Sequence, residues 1–355
     1  MVKLQITLLA ILLASLSEAK PVLPTLLETN NQAVTKAPGV FETGYFPTEL
    51  NNVKESELAP GSPPKPLLLA RPTVAGKYPV ILFIHGTCLL NSFYSDVLVH
   101  VASHGFIVVA PQIYTCTVFG AIPVIPIDGQ KEVDLSTEVA NWLPSGLKSV
   151  LKGSVQANLD KLVISGHSRG GKTAFAMQLG YSTDALTTKF SALVGLDPVA
   201  GTSKESRTDP KVLTYIPHSF NLSIPVSVIG TGLGSQPSCW LVCPACAPDE
   251  VNHAEFYNEC RPPASHFVAT DYGHMDMLND DLSGLMGIMA KSMCKNSNKP
   301  KDPMRKTVGG IIVAFLKAYF YGNSRDYNTI LQDPSVSPAT LYPVESMKAK
   351  YLAQA

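Results

Sequence analysis

Six short apolar runs recur through the middle of this chain, at residues 80–84, 106–110, 162–165, 192–196, 224–229 and 266–269. Each is too short for a helix and too uniformly apolar for a strand with one wet face. They read as strands buried on both sides, the signature of a parallel sheet. Segments of helical character at 94–103, 133–151, 171–181 and 305–320 separate or follow them. This alternation predicts an α/β architecture, a mostly parallel central sheet flanked by helices, with ligands bound at the carboxyl ends of the strands. Two earlier strands are expected at 41–46 and 65–71, on either side of a Pro/Gly/Ser-rich loop at 59–64. One domain over 41–322 accounts for the pattern. Residues 20–40 read as a connector, and 323–355, broken by Pro334, Pro338 and Pro343, as a tail lying along the surface or fraying.

Among these runs, the one at 162–165 is followed by Gly166-His167-Ser168-Arg169-Gly170 and then by a helical stretch. A strand that turns sharply through a serine into a helix holds the hydroxyl at the carboxyl edge of the sheet, in a strained backbone conformation. The flanking glycines are required because strand and helix close up around the turn. A lone Gly-x-Ser-x-Gly arises readily by chance. Its place between a strand and a helix makes Ser168 a candidate nucleophile.

A serine hydroxyl needs a histidine to take its proton and a carboxylate to fix the histidine's tautomer. In this architecture the chain order is Ser, acid, His. Asp197 ends the next strand after the serine and is the candidate acid. The more usual position, one strand later, holds only Thr231-Gly232-Leu233-Gly234, and Asp249, Glu250 and Glu255 are the remaining candidates. His274 follows the last core strand, with Gly273 to let its loop turn back over the serine, and is the candidate base. His253 and His266 read as packing or hydrogen-bonding residues, as do His85 and His167. Asp271 and Asp276 stand too close along the chain to reach the ring of His274. The oxyanion formed during acyl transfer needs two backbone N–H donors. These are expected at Arg169, whose side chain the reading does not require, and at Thr87 in the His85-Gly86-Thr87-Cys88 loop, with Cys88 the next choice.

Bulk properties narrow the partners. Charged residues make up 16% of the 355, and Lys plus Arg equals Asp plus Glu at 28 each, so no net field gathers nucleic acid. The 45% hydrophobic content is ample for a buried core, and the mean hydropathy of +0.13 suits an apolar substrate groove as well as a large core. The expected partner is a small-molecule apolar ester, with peripheral contact with lipid or a membrane. Residues 1–19, with Lys3, an apolar stretch and a small-residue exit at Ala19, read as a secretory signal peptide. Of the seven cysteines, Cys239, Cys243, Cys246 and Cys260 cluster, which in an oxidising compartment points to disulfides. Their spacing fits a zinc site poorly. The odd count leaves at least one thiol free or paired outside the chain. Asn221-Leu222-Ser223 is a glycosylation sequon.

Further motifs stand in line with these: Ser92-Phe93-Tyr94-Ser95-Asp96-Val97-Leu98, Ala102-Ser103-His104-Gly105-Phe106, Leu196-Asp197-Pro198-Val199-Ala200-Gly201 and Asp271-Tyr272-Gly273-His274-Met275-Asp276. Over about residues 65–320 the chain resembles the plant chlorophyllases, members of the α/β-hydrolase superfamily. The resemblance implies hydrolysis of the phytyl ester of chlorophyll to chlorophyllide and phytol, a triad at Ser168, Asp197 and His274, and no cofactor or protein-bound metal. Chlorophyll lies in plastid membranes, so a chloroplast location stands as the alternative to the secretory route. A lipase-like or cutinase-like enzyme, or a phospholipid acetyl-esterase, would use the same triad. A ligand-binding protein on an inactive hydrolase fold would have no need of all three residues.

Overall fold

A computed structural model describes residues 39–53, 62–119, 122–151, 153–238 and 244–348. Nine strands form one mixed sheet flanked by helices. In chain order the first elements are β1 (Thr48–Val53), β2 (Leu67–Pro72), β3 (Gly76–Ile84), α1 (Ser95–Ser103) and β4 (Ile107–Pro111). A small hairpin, β5 (Thr117–Phe119) and β6 (Ile122–Val124), precedes α2 (Gly129–Val150), β7 (Val155–His167), α3 (Arg169–Gln178) and β8 (Ala192–Leu196). The remainder is β9 (Val226–Thr231), α4 (His253–Glu259), β10 (Ala264–Ala269), α5 (Gly284–Ser292), α6 (Asp302–Tyr321), α7 (Arg325–Gln332) and β11 (Leu341–Met347).

The sheet runs in the order β1-β2-β4-β3-β7-β8-β9-β10-β11. From β4 to β10 every pairing is parallel, and β1, β2 and β11 join antiparallel at the edges. The six apolar runs of the sequence all fall on parallel strands. Their uniform apolarity has a direct cause, since alternate side chains enter two separate cores. Ile81, Phe83, Val108 and Val163 face one core with Val97 and Val101 of α1 and Val308 and Phe315 of α6. Val80, Leu82, Ile84, Leu162 and Ile164 face the other, with Val139 and Leu143 of α2 and Phe175 of α3. A strand with apolar residues on both faces has no wet side to mark by alternation.

One expectation is corrected. Residues 41–46 form turns and bends, and the first strand among the described residues is β1, because Gly44 donates its N–H to Ser103 Oγ and Phe46 its N–H to Ser103 O at the end of α1. These bonds dock the segment on a helix end, so it does not pair with a strand. The tail expected over 323–355, lying along the surface or fraying, holds regular elements over its described part, 323–348. There α7 buries Tyr327 and Ile330, and β11 pairs with β10 as the outer strand of the sheet. Pro343 of β11 is tolerated on an edge strand, where one row of backbone groups faces solvent. The helix expected from 133 begins at Gly129, capped by Asp128, whose carboxylate accepts from Lys131 N at 2.7 Å. Among the described residues no helix is long and apolar enough to cross a membrane. The expected signal peptide, Cys239 and Cys243 lie outside the described residues.

Candidate active site

Ser168 stands between β7 and α3 with φ 57° and ψ −126°, a conformation that an L-residue holds only under constraint from its surroundings. The neighbouring glycines supply that constraint. A Cβ at Gly166 would overlap the backbone of Gly170, and one at Gly170 would overlap the carbonyls of Ile84 and His85. The turn is held by Ser168 N donating to Leu196 O at 3.0 Å and by Lys172 N donating to Ser168 O at 3.1 Å. The hydroxyl therefore sits at the carboxyl edge of the central parallel strands.

The structure brings the three expected side chains together. His274 Nε2 lies 2.8 Å from Ser168 Oγ, and His274 Nδ1 lies 2.7 Å from Asp197 Oδ2. All three are buried; Ser168 is the most accessible, at 7%. Burial by itself would raise the pKa of Asp197. The hydrogen bonds from His274 and Thr231 and the nearby rings of His274 and His253 outweigh it and hold the carboxyl at about 2. An anion fixed at Nδ1 favours the tautomer protonated there, which turns the Nε2 lone pair of His274 towards the Ser168 hydroxyl.

The other acidic candidates point elsewhere. Asp249 accepts from Asn252 and Glu255 from Asn258. Asp271 pairs with Lys299, and Asp276 accepts the N–H groups of Gly273 and Ser297, which clamps the loop carrying His274. The loop of Gly86 and Thr87 approaches Ser168 closely, for a Cβ on Gly86 would come within 3.2 Å of Ser168 Cβ. Cys88 takes a left-handed φ of 59° and is joined to Cys116 by a disulfide. Arg169 is the first residue of α3, where backbone N–H groups have no partner within the helix.

With this geometry in place, comparison with known proteins decides the family. The family model described as Chlorophyllase matches residues 36–348. The chain belongs to the chlorophyllase family. It is similar to Chlorophyllase-1 of Arabidopsis thaliana, 53% identical over 307 residues that cover 86% of this chain and 92% of the relative. Chlorophyllase type 0 of Chenopodium album is 48% identical over 324 residues, 90% of this chain and 89% of the relative. Chlorophyllase-1, chloroplastic, of Citrus sinensis is 47% identical over 312 residues, 87% and 89% of the two chains. Like those relatives, this chlorophyllase-family protein is a carboxylic ester hydrolase.

Three groups around the site were not evident from sequence. Thr231, on the strand where an acid is more usual, donates to Asp197 through Oγ1 at 2.5 Å and through its N–H at 3.3 Å. The strand lacks a carboxylate and supplies donors to one instead. A second group links three loops. Gly86 N donates to Tyr94 Oη at 3.0 Å, Tyr94 Oη lies 2.8 Å from His167 Nδ1, and His167 Nε2 lies 3.0 Å from the carbonyl of His274. A carbonyl can only accept, so His167 carries its proton on Nε2 and accepts the Tyr94 hydroxyl on Nδ1. Burial raises the Tyr94 hydroxyl and lowers His167, which keeps both neutral in this arrangement.

The third group is the Arg169 side chain, which is anchored: its guanidinium forms a 2.5 Å ion pair with Glu132 of α2, donates to Ile127 O and lies over the Tyr114 ring. Glu132 also accepts from Thr173 and is fully buried. Arginine thus fixes the start of α3 to the start of α2. Outside the site, Cys246 pairs with Cys294, and Cys260 is a buried thiol donating to Phe256 O. The four clustered cysteines therefore do not act as one set, and among the described residues no group of three or more His, Cys, Asp or Glu could hold a metal.

Proposed function

We propose that this protein hydrolyses the phytyl ester of chlorophyll, with Ser168 as nucleophile, His274 as general base and then acid, and Asp197 as the group that orients and charges the imidazole. The observation that carries the reading is the unbroken line from Ser168 Oγ to His274 to Asp197, at 2.8 and 2.7 Å, in a chain of the chlorophyllase family. Ser168 Oγ attacks the ester carbonyl as its proton passes to His274 Nε2. The oxyanion is received by the N–H groups of Thr87 and Arg169. His274 returns the proton to the phytol oxygen as the acyl bond breaks. Water, deprotonated by the same ring, then releases chlorophyllide and frees the serine. The magnesium of chlorophyll belongs to the substrate, and no step requires a cofactor.

An apolar substrate is also supported by the surface. Phe119, Val124 and Ile125 are exposed on and beside the β5–β6 hairpin, just past the Cys116 end of the disulfide to Cys88. Leu285, Ile288 and Met293 are exposed on and beside α5, next to the Cys294 disulfide. Such patches suit a phytyl chain or the lipid that carries it. For the compartment we propose the chloroplast over the secretory route, on the names of relatives such as the citrus enzyme. Residues 1–40 fused to a fluorescent protein would report plastid or secretory targeting directly.

The test of function is parallel turnover of chlorophyll and a short nitrophenyl ester by the native protein and by Ser168→Ala. Both substrates should be cleaved, and the variant should lose about 10⁴-fold or more on each. Cleavage of the nitrophenyl ester alone would leave a lipase-like esterase that does not act on pigment.

A further inference from the structure

Behind Asp197 stands a second line of titratable groups that the proposed reaction does not use. Oδ2 of Asp197 takes His274 and the Thr231 hydroxyl, while Oδ1 takes the Thr231 N–H and lies 3.9 Å from Nε2 of His253. His253 opens α4 and is 8% exposed. Its ring lies against β9 where Gly230 has no side chain; a Cβ there would overlap the imidazole. The other ring nitrogen, Nδ1, is 2.8 Å from His266 Nε2, and His266 Nδ1 is 3.0 Å from Glu345 Oε2 on the edge strand β11. Tyr257 stacks on the His266 ring with centroids 4.9 Å apart. The Glu345 side chain is half-exposed and borders a cavity of about 260 Å³ that is also lined by His218, Tyr257, Asn258 and Met347.

The proton count along this line is informative. Carboxylates, which only accept, stand at both ends, and two imidazoles stand between them. The two hydrogen-bonded links, His253 Nδ1 to His266 Nε2 and His266 Nδ1 to Glu345, need two protons, which two neutral imidazoles carry. That leaves Nε2 of His253 bare, facing Asp197 Oδ1 at 3.9 Å, beyond hydrogen-bond reach. A third proton taken up there makes an imidazolium between two carboxylates.

Resting on the reading of Ser168, His274 and Asp197 given above, we propose that His253 and His266 are positioning residues that couple Asp197 to the surface carboxylate of Glu345. Uptake of the third proton puts positive charge behind Asp197 and weakens the field it applies to the imidazolium of His274. Burial lowers the proton affinity of both rings, against the pull of Glu345 and Asp197. Asp249, His274 and the Thr231 backbone also face His253, and Tyr257 faces His266. The third proton therefore binds on the acid side of neutrality, where it adds to the direct protonation of His274 in switching the enzyme off.

The experiment is the pH profile of kcat and KM, from pH 4 to 8 on a short nitrophenyl ester, for the native protein, Glu345→Gln and His266→Gln, with Ser168→Ala as the control. Glu345→Gln removes the surface charge that favours the third proton, and His266→Gln removes the chain itself. Both should move the acid limb of the kcat profile down by about half a pH unit or more. In each, KM and the kcat at the optimum should stay within about threefold of native. The proposal is overturned by acid limbs that superimpose on the native one in both variants, or by a uniform fall of kcat at every pH, the mark of a purely structural role. Residual activity in Ser168→Ala would instead overturn the nucleophile assignment, so the two failures are distinguishable. Thermal melts of both variants establish that each is folded.

Discussion

Ser168 and Asp197 stand at the ends of neighbouring strands, β7 and β8, but are held there by opposite means. The serine is locked by close packing around its turn: Gly166 lies against Gly170, and Gly170 against the carbonyls of Ile84 and His85. The aspartate is held by hydrogen bonds from remote parts of the chain, Thr231 at a separation of 34 residues and His274 at 77. One end is fixed by steric exclusion, the other by charge and donors. A small volume change should therefore damage the serine end, whereas an isosteric change that alters only protons should damage the aspartate end.

The largest effect expected from this contrast is at the aspartate. Asp197→Asn keeps the volume but offers His274 Nδ1 an amide, which can stabilise the wrong tautomer and no longer balances an imidazolium. We expect kcat to fall by about 10⁴-fold, with a thermal unfolding transition that remains cooperative. A loss of only a few-fold would show that the aspartate end is not held by charge. At the serine end, Gly170→Ala adds one methyl group against two carbonyl groups. This should cost about 3 kcal/mol of stability, measured by urea unfolding, and should lower activity through loss of folded protein.

The contrast also explains what could be read from the chain. The serine end was legible because its sequence mark is local: Gly166, Ser168, Gly170 and the flanking strand and helix are contiguous. The central strands were legible for a similar reason, since burial on both faces leaves uninterrupted apolar runs. The strand expected at 41–46 was not found, because hydrogen bonds to Ser103 decided its conformation. The edge strand β11 was hidden by its exposed, proline-containing pattern. Thr231 and His253 carry no local mark. A glycine-rich segment lacking the usual acid was the one signal, and its meaning depends on Asp197 having come from the strand before.

Protonation gives a quantitative version of the comparison. A carboxyl held at about 2 in the folded chain, against about 4 when unfolded, contributes stability that is fully present above pH 4 and disappears as the pH falls towards 2. The contribution is on the order of 2 kcal/mol. The buried histidines act in another window. His85 is lowered to about 4 by burial, so the unfolded chain binds its proton first and stability declines as the pH falls from about 6.5 to 4. Thr231→Val removes one donor from Asp197 and should cost about 2 kcal/mol at pH 7. That deficit should narrow between pH 4 and pH 2, where protonation removes the charge that the hydroxyl serves. A deficit independent of pH would assign Thr231 to packing alone.

The smallest effect tests whether the two ends communicate. Tyr94 joins the Gly86 loop to His167, and His167 joins the backbone of His274, so the proposed oxyanion side and the proposed base share one buried hydroxyl. Tyr94→Phe keeps the ring packing and leaves Gly86 N without an acceptor and His167 Nδ1 without a donor. Each is a neutral hydrogen bond, so the loss should be about 1 kcal/mol in stability for each of the two. Because Gly86 precedes the proposed oxyanion donor Thr87, kcat should fall several-fold while KM on the nitrophenyl ester stays near native. A change in KM with kcat preserved would mean that the hydroxyl orders the ground-state pocket and not the groups that meet the transition state.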